Sequence, residues 1–546
     1  MVTVYLLCIA LLSVVVGYGA DEAKTQKPNI VFIMADDMGW NDISLHGSDQ
    51  IPTPNIDLLG YSGVILERYY SHCVCTPSRS AFLTGKYAHV TGMQGYPLTN
   101  SEDRGLPITE KILPQYLKEL GYATHLVGKW HVGGSRRKYL PTKRGFDTHF
   151  GHRGGYVDYY EYTLEETSSV GLVSGMGLFR NETPAWDVEG YLTDLYTEEA
   201  ISIIKSHDES SPLFLMLAHM APHGSNDGAL LQAPVQTVRA MRHVENPARR
   251  IFAAMMKKLD DSVGDVVEAL DKKGILNNTI IVFVSDNGAM TSGNSINYGS
   301  NLPLRGLKMS PFEGGVRLGG VMWTPLPRAN HLYKGYVHVV DWLPTLLKAV
   351  GADIPKDIDG INLWDDIVAN KESSRNEMFE IDDYSGFASI TSGDFKLVTG
   401  NVTKAYSDFQ GGGTLAGIIG KPPSYIDAVK KSKTFKSLEK LGRSLGVERF
   451  THARQNMKIM CRETISYDET KICYPQNDKF CLFNIKEDPC EMKDISGLHT
   501  DLVRKMLARL TAEKNRLIPR TVPLFRDPKA LPALHNFTWT IFADNL

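Results

Sequence analysis

Two short apolar runs, far apart in the chain, each stop at residues that carry oxygen ligands. Pro28-Asn29-Ile30-Val31-Phe32-Ile33-Met34-Ala35 leads into Asp36-Asp37, and Thr279-Ile280-Ile281-Val282-Phe283-Val284 leads through Ser285 into Asp286-Asn287. Apolar runs of this length, bounded by turn-forming residues, read as strands buried on both faces, which is the situation of a parallel sheet. Open α/β sheets gather their functional groups at the carboxyl ends of strands. Two such strands therefore bring four oxygen-bearing side chains to one place. Further runs fit the pattern: Ala123 to Val127 precedes Gly128-Lys129-Trp130-His131, and Leu213 to Ala218 ends near His219 and His223. Helical periodicity falls between the strands, over Ile108 to Leu120 and Ala248 to Leu270. The alternation predicts an α/β class with a doubly wound, mixed but mostly parallel sheet.

The pattern changes after about residue 370. Ala388 to Val398 has strand character around a Ser-Gly-Asp turn, and Asp501 to Leu510 sets Leu502, Val503, Met506, Leu507 and Leu510 on one helical face. The expectation is a catalytic α/β domain over 21–370 and a smaller α+β domain over 371–546 with a short antiparallel sheet. A chain of 546 residues suits two domains, since single cores stop growing near ~250–300 residues. Between Lys430 and Lys440 lies a basic run, read as a solvated helix face in preference to an arm for anionic substrates. The formal net charge of −3 lacks the basic excess of a nucleic-acid binder.

Residues 1–20 read as a signal peptide: Leu6 to Val16 is apolar except for Ser13, and small residues at Gly19 and Ala20 offer a cleavage site. The run is short for a membrane span, and no later stretch is apolar enough, so no membrane attachment is expected after its removal. Sequons at Asn181, Asn277, Asn401 and Asn536 suit the secretory pathway, ending in a lysosome or outside the cell. Without Cys8 of the leader, the cysteines are Cys73, Cys75, Cys461, Cys473, Cys481 and Cys490. The last four can pair in three ways. Cys481 with Cys490 would close a short loop, and Cys461–Cys473 would then be the other bridge, with Cys73 left over.

Asp36, Asp37, Asp286 and Asn287 are hard donors that favour Ca2+ or Mg2+ over zinc. An Asp-Asp pair after one strand is usually a turn or helix cap; the matching Asp-Asn after a second strand is what points to a cation. Arg79, Lys129, His131, His223 and Lys308 supply positive charge of the kind a dianion-like transition state needs. Lys129 and His131 stand at alternate positions, which on an extended segment would point both the same way. Spacing does not separate His223 from His219.

The stretch Cys75-Thr76-Pro77-Ser78-Arg79, completed by Leu83-Thr84-Gly85-Lys86, resembles the signature of the sulfatase family. The segments NIVFIMADDMGWND, VGKWH, LPTKRGFDTHFG, VSDNG and PLRGLKMSPFEGGVR follow in that family's order over roughly the first 350 residues, and the likeness is greatest to arylsulfatase B-like enzymes, insect members included. The resemblance implies the alkaline-phosphatase-like sulfatase fold and an enzyme that hydrolyses sulfate esters. It implies that a formylglycine-generating enzyme converts Cys75 to formylglycine (3-oxoalanine), an aldehyde whose hydrate attacks sulfur and then expels sulfate by re-forming its carbonyl. Asp36, Asp37, Asp286 and Asn287, with the modified Cys75, would hold one Ca2+ per subunit. Arg79 and Lys129 would stabilise charge, and His131 would deprotonate the second diol hydroxyl. His223, favoured over His219, would act with Lys308 to bind the sulfate and protonate the leaving oxygen.

The chain departs from that pattern in two places. Cys73 puts a second thiol beside the modified one, and the segment after Thr91 matches only at its start. The residues there and from Gly154 to Phe179 are expected to shape the substrate pocket. Two substrate classes stay open, N-acetylgalactosamine 4-sulfate units of glycosaminoglycans and plant glucosinolates. Two other readings compete. A phosphohydrolase of the wider superfamily would use Ser or Thr and commonly two zinc ions, and a binding protein on an inactive scaffold would lack some catalytic position, yet every expected position is filled.

Overall fold

The computed structural model describes residues 27–168, 170–293, 295–326, 330–407, 415–443, 446–461, 472–476, 479–520 and 526–544. The predicted leader lies outside them. A mixed sheet of 11 strands spans the protein. Its centre is parallel, in the spatial order Thr279–Ser285, Asn29–Ala35, Leu213–Ala218, Ala123–Gly128 and Thr148–His152. Antiparallel strands flank it, Gly320–Trp323 on one side and Leu178–Arg180 on the other. Successive side chains of Asn29–Ala35 enter different cores: Val31, Ile33 and Ala35 pack on one face, Ile30, Phe32 and Met34 on the other. Burial on both faces explains the unbroken apolar run.

Helices cover both faces. The helix Pro247–Lys273 covers one, capped by Asn246, whose side chain accepts from the backbone N–H groups of Ala248 and Arg249, and stopped by Gly274 in the left-handed conformation. Cys75–Thr84 and Trp342–Ala349 cover the other, through Phe82, Leu83, Trp342 and Leu346. The helix expected from Ile108 is confined to Leu113–Glu119. Pro114 sits in its first turn and has no N–H for an earlier carbonyl, so the helix cannot extend back to Ile108.

A separate antiparallel sheet joins Glu377–Asp382, Phe387–Ser392, Phe395–Gly400 and Cys481–Asn484 in that order. Its hairpin turns at Gly393 (φ 57°), and the helix Thr500–Lys514 buries Val503, Met506 and Leu510 beside Ile390 and Leu397. The basic run forms the helices Tyr425–Lys431 and Lys433–Lys440. Lys433 pairs with Asp265, and Lys440 Nζ with Asp271 Oδ2 at 2.7 Å, so these lysines line the acidic face of Pro247–Lys273.

The disulfides correct the sequence expectation. Cys461 pairs with Cys490 and Cys473 with Cys481, leaving Cys73 and Cys75 as buried thiols. Cys473 and Cys481 are buried in one small apolar cluster with Val398 and Phe483. Cys473 and Cys481 are only 8 residues apart, a loop as short as the expected one, so this packing and not loop length selects the partner. Among the described residues no helix is long and apolar enough to cross a membrane.

Candidate active site

The parallel register sets Ala35 beside Ser285, so the residues after both strands emerge together. Asp36 N donates to Ala221 O and Asp286 N to Ala35 O, which carries the ladder one step beyond the strands. The backbone then turns sharply at Asp37, whose φ of 60° is left-handed; this conformation costs an ordinary residue roughly 1–2 kcal/mol. Asp37 N donates to Asp286 Oδ1 at 3.2 Å and Asn297 Nδ2 to Asp37 O at 2.8 Å, which hold the turn.

Cys75 is the first residue of the helix Cys75–Thr84, after an extended Val74. Ser78 Oγ donates to the carbonyls of His72 and Val74, and Thr76 Oγ1 donates to His131 O while accepting from Leu98 N. Threonine and serine in this motif thus fix the entry of the helix and aim Cys75 at the strand ends. Its Sγ lies 3.4 Å from Asp36 Oδ1 and 3.8 Å from Asp37 Oδ1. Burial pushes the thiol pKa up, against the pull of Lys129 and Lys308.

Arg79, Lys129 and Lys308 reach the carboxylates directly, whereas His131, also expected among the cations, meets no carboxylate. Arg79 meets Asp286 Oδ2 through Nε at 3.1 Å and Nη2 at 2.8 Å, Lys129 Nζ meets Asp36 Oδ2 at 2.6 Å, and Lys308 Nζ meets Asp37 Oδ1 at 2.7 Å. Burial pushes the Asp37 carboxyl up, but Lys308, His223 and Lys129 overcome it and hold it well below the usual range. For Asp286, burial and the nearby Asp36 prevail over Arg79, and its pKa is raised. Lys308 is the reverse case: burial disfavours its charge, yet Asp37 holds it protonated.

His223, and not His219, joins this group. His223 Nε2 is 3.5 Å from Asp37 Oδ2 and 3.4 Å from Lys308 Nζ, whereas His219 Nε2 pairs with Ser262 Oγ at 2.9 Å in the core. Burial lowers the pKa of His223 to about 3. Left-handed residues at Gly128 and His131 interrupt the extended segment that the sequence suggested for Lys129 and His131. Gly128 has φ 104°, and a Cβ there would lie 1.9 Å from Ala218 O; His131 itself is left-handed at φ 58°. His131 Nε2 lies 2.9 Å from Leu98 O, which can only accept, so Nε2 bears the proton and the buried Nδ1, which has no partner, bears the lone pair. Burial, then Lys129, push the His131 pKa well down and keep the ring neutral.

The donor set fits a hard cation. Oxygens of Asp36 and Asp37 converge with Cys75 Sγ and His223 within 4.8 Å, and Asp286 adjoins them. Asn287 donates through Nδ2 to Asp37 Oδ1 at 2.6 Å, and its Oδ1 is buried without a partner, as an amide oxygen reserved for a ligand would be. Three carboxylates and an amide suit Ca2+ or Mg2+.

Sequence reasoning did not identify Tyr156, whose ring stacks on His223 with centroids 5.7 Å apart, or the Leu98 carbonyl that sets the His131 tautomer. Tyr156 belongs to the stretch from Gly154 expected to shape the pocket. A main-chain acceptor leaves no trace in residue types.

Comparison with known proteins shows the family. A family model described as Sulfatase matches residues 28–352. Arylsulfatase J of Mus musculus is 36% identical over 528 residues, covering 95% of this chain and 81% of that protein. N-acetylgalactosamine-6-sulfatase of Mus musculus is 32% identical over 411 residues, covering 71% and 75%. Among solved structures, Ps i-CgsB in complex with k-i-k-neocarrahexaose superposes with a TM-score of 0.71 at 26% identity, covering 94% of this chain and 98% of that one.

Proposed function

The chain belongs to the sulfatase family and is a sulfuric ester hydrolase, and from that premise we propose that it desulfates a sulfated sugar, with N-acetylgalactosamine 4-sulfate units as the favoured substrate, using Cys75 as formylglycine and one Ca2+. The observation that carries the reading is the convergence of Arg79, Lys129, His223 and Lys308 on three buried carboxylates around Cys75. As formylglycine, Cys75 would supply a hydrated aldehyde, one hydroxyl attacking sulfur and the other expelling sulfate on losing its proton. Asp36, Asp37, Asp286 and Asn287, with the modified Cys75, would hold the Ca2+, which supplies positive charge to the attacking oxygen and the sulfate.

The side chains divide the remaining work. Arg79 and Lys129, fixed by Asp286 and Asp36, offset negative charge with little reorganisation because both are buried and already paired. His131 presents a lone pair at Nδ1 and is neutral, the state a base requires. His223 hydrogen-bonds Gly224 O through Nδ1, so Nε2 faces the protonated Lys308. Lys308 and His223 together bind the sulfate and deliver a proton to the leaving oxygen.

A sugar substrate is supported by the named specificity of the N-acetylgalactosamine-6-sulfatase relative and by the oligosaccharide bound in the Ps i-CgsB structure. The proposal includes maturation by a formylglycine-generating enzyme, a catalytic unit over 21–370 with the smaller unit over 371–546, and passage through the secretory pathway to a lysosome or the exterior. All four sequon asparagines are exposed. Sulfate release from a small aryl sulfate, a 4-sulfated and a 6-sulfated N-acetylgalactosamine oligosaccharide and a set of glucosinolates tests the reading. Preference for the 4-sulfated sugar is expected; turnover of glucosinolates alone would overturn the substrate assignment.

A further inference from the structure

His131 shares a wall with a small cavity of about 20 Å3, bounded also by Leu98, Asn100, Arg104, Arg153, Gly154 and Trp539. The volume accommodates one or two small atoms. Arg153 is only 5% exposed. Its Nη2 donates to Asn181 O at 3.0 Å and its plane lies 3.7 Å from the Phe179 ring centroid, but Nε and Nη1 are buried with no acceptor. Arg104, 8% exposed, donates through Nε to Glu102 Oε1 and through Nη1 to Gly92 O, and its Nη2 is likewise bare. Both arginines line the cavity, and three of their guanidinium nitrogens are without an acceptor.

Charge in the vicinity is unbalanced as well. Glu102 is shared between Arg104 and Arg520, and Glu166 accepts from Asn100 N and Ser101 Oγ. Among the described residues no carboxylate stands within ion-pair distance of Arg153. Glu182 acts on Arg153 from beyond ion-pair distance, yet burial prevails and lowers its pKa to about 10, so the charge is incompletely compensated. Water in the cavity would meet the donors and leave the charge.

We propose that this cavity binds one singly charged anionic group of halide or carboxylate size, separate from the sulfate-holding cations and adjoining His131. Two sources present that chemistry, a free halide and the carboxylate of an acidic sugar next to the sulfated one. Because His131 N donates to Arg153 O at 3.1 Å, occupancy bears on the placement of the base.

Thermal unfolding of the full chain, with chloride, bromide or formate replacing methanesulfonate at constant ionic strength, tests the first source. A saturable rise in Tm is expected, at least tenfold weaker in its anion dependence for Arg153→Met. Bromide soaked into crystals should give an anomalous peak between Arg104 and Arg153, a readout that needs no variant and no activity. The second source predicts at least a tenfold higher KM for a carboxyl-reduced sulfated disaccharide than for its uronate parent, a gap that closes in Arg153→Met. A flat Tm, no bromide peak and equal KM values together would overturn the proposal and leave a water site. Turnover of a small aryl sulfate, which has no carboxylate, reports the sulfatase reading independently.

Discussion

Arg79 and Asp286 are joined across 207 residues of sequence by a two-point contact, Nε and Nη2 on one carboxylate oxygen, with both side chains sealed from solvent. The helix that begins at Cys75, the proposed nucleophile, is thereby tied to the strand end that carries half of the proposed metal donors. On the proposed reading, nucleophile and cation site form a single unit.

Asp286→Asn tests that unit. The amide keeps a hydrogen-bond acceptor for Arg79 but removes a charge, and unpairing a buried ion costs about 3–5 kcal/mol. Calcium content by elemental analysis should fall from one per chain to near none, with activity reduced at least 100-fold and far-UV circular dichroism unchanged. Stoichiometric zinc without calcium or magnesium in the wild type would sink the assignment.

Cys75 should be found as the aldehyde or its hydrate when the tryptic peptide that spans it is weighed by mass spectrometry. Cys75→Ser should lose turnover while retaining the wild-type Tm to within a few degrees, since the serine hydroxyl occupies the same helix start. Fully active protein with an unmodified thiol would remove the proposed chemistry.

His131→Ala removes the lone pair at Nδ1 but leaves Cys75, Arg79 and Lys129 in place. Leaving-group release should show a burst of one equivalent, followed by turnover about 10²–10⁴-fold slower, the range of a lost general base. Normal steady-state turnover on the same substrate would show that another residue takes the proton.

Asp57 gives the protein a pH-dependent stability outside the site. Ser44 and Tyr425 donate to its Oδ2 and Thr53 to its Oδ1, yet burial prevails and pushes its pKa up from 3.8 to about 6. The folded state holds this proton more tightly than the unfolded chain, so the contribution is complete below about pH 4 and is lost as pH rises through 6. From the shift its size is on the order of 3 kcal/mol. Asp57→Asn should flatten Tm between pH 4 and 7 relative to wild type; parallel curves would refute the role.

Peptide mapping under non-reducing conditions should recover Cys461 linked to Cys490 and Cys473 linked to Cys481. Recovery of Cys481 with Cys490 would restore the pairing expected from the sequence.

The readability of this chain follows from where each constraint is written. Strand ends at Asp36 and Asp286 were visible because burial on both faces forces unbroken apolar runs, and the site hangs directly from them. The direction of Lys129 and His131 was not visible, because it depends on Gly128 closing against Ala218 O, a contact between segments about 90 residues apart. His223 separates from His219 only when Ser262 is seen to occupy the latter. Arg153 gave no signal at all, since its significance lies in the missing partner.

Arg305 lies three residues before Lys308 and is wholly buried. Its guanidinium donates to the main-chain carbonyls of Ser407, Cys473 and Glu491, all from the C-terminal third, two of them a bridged cysteine and the neighbour of another. The loop presenting Lys308 is thus braced by chain that is made last and cross-linked later still. A chain ending before Cys490 would lack one of these three carbonyls and the partner of Cys461, so the brace behind Lys308 is completed only when the C-terminal third is in place.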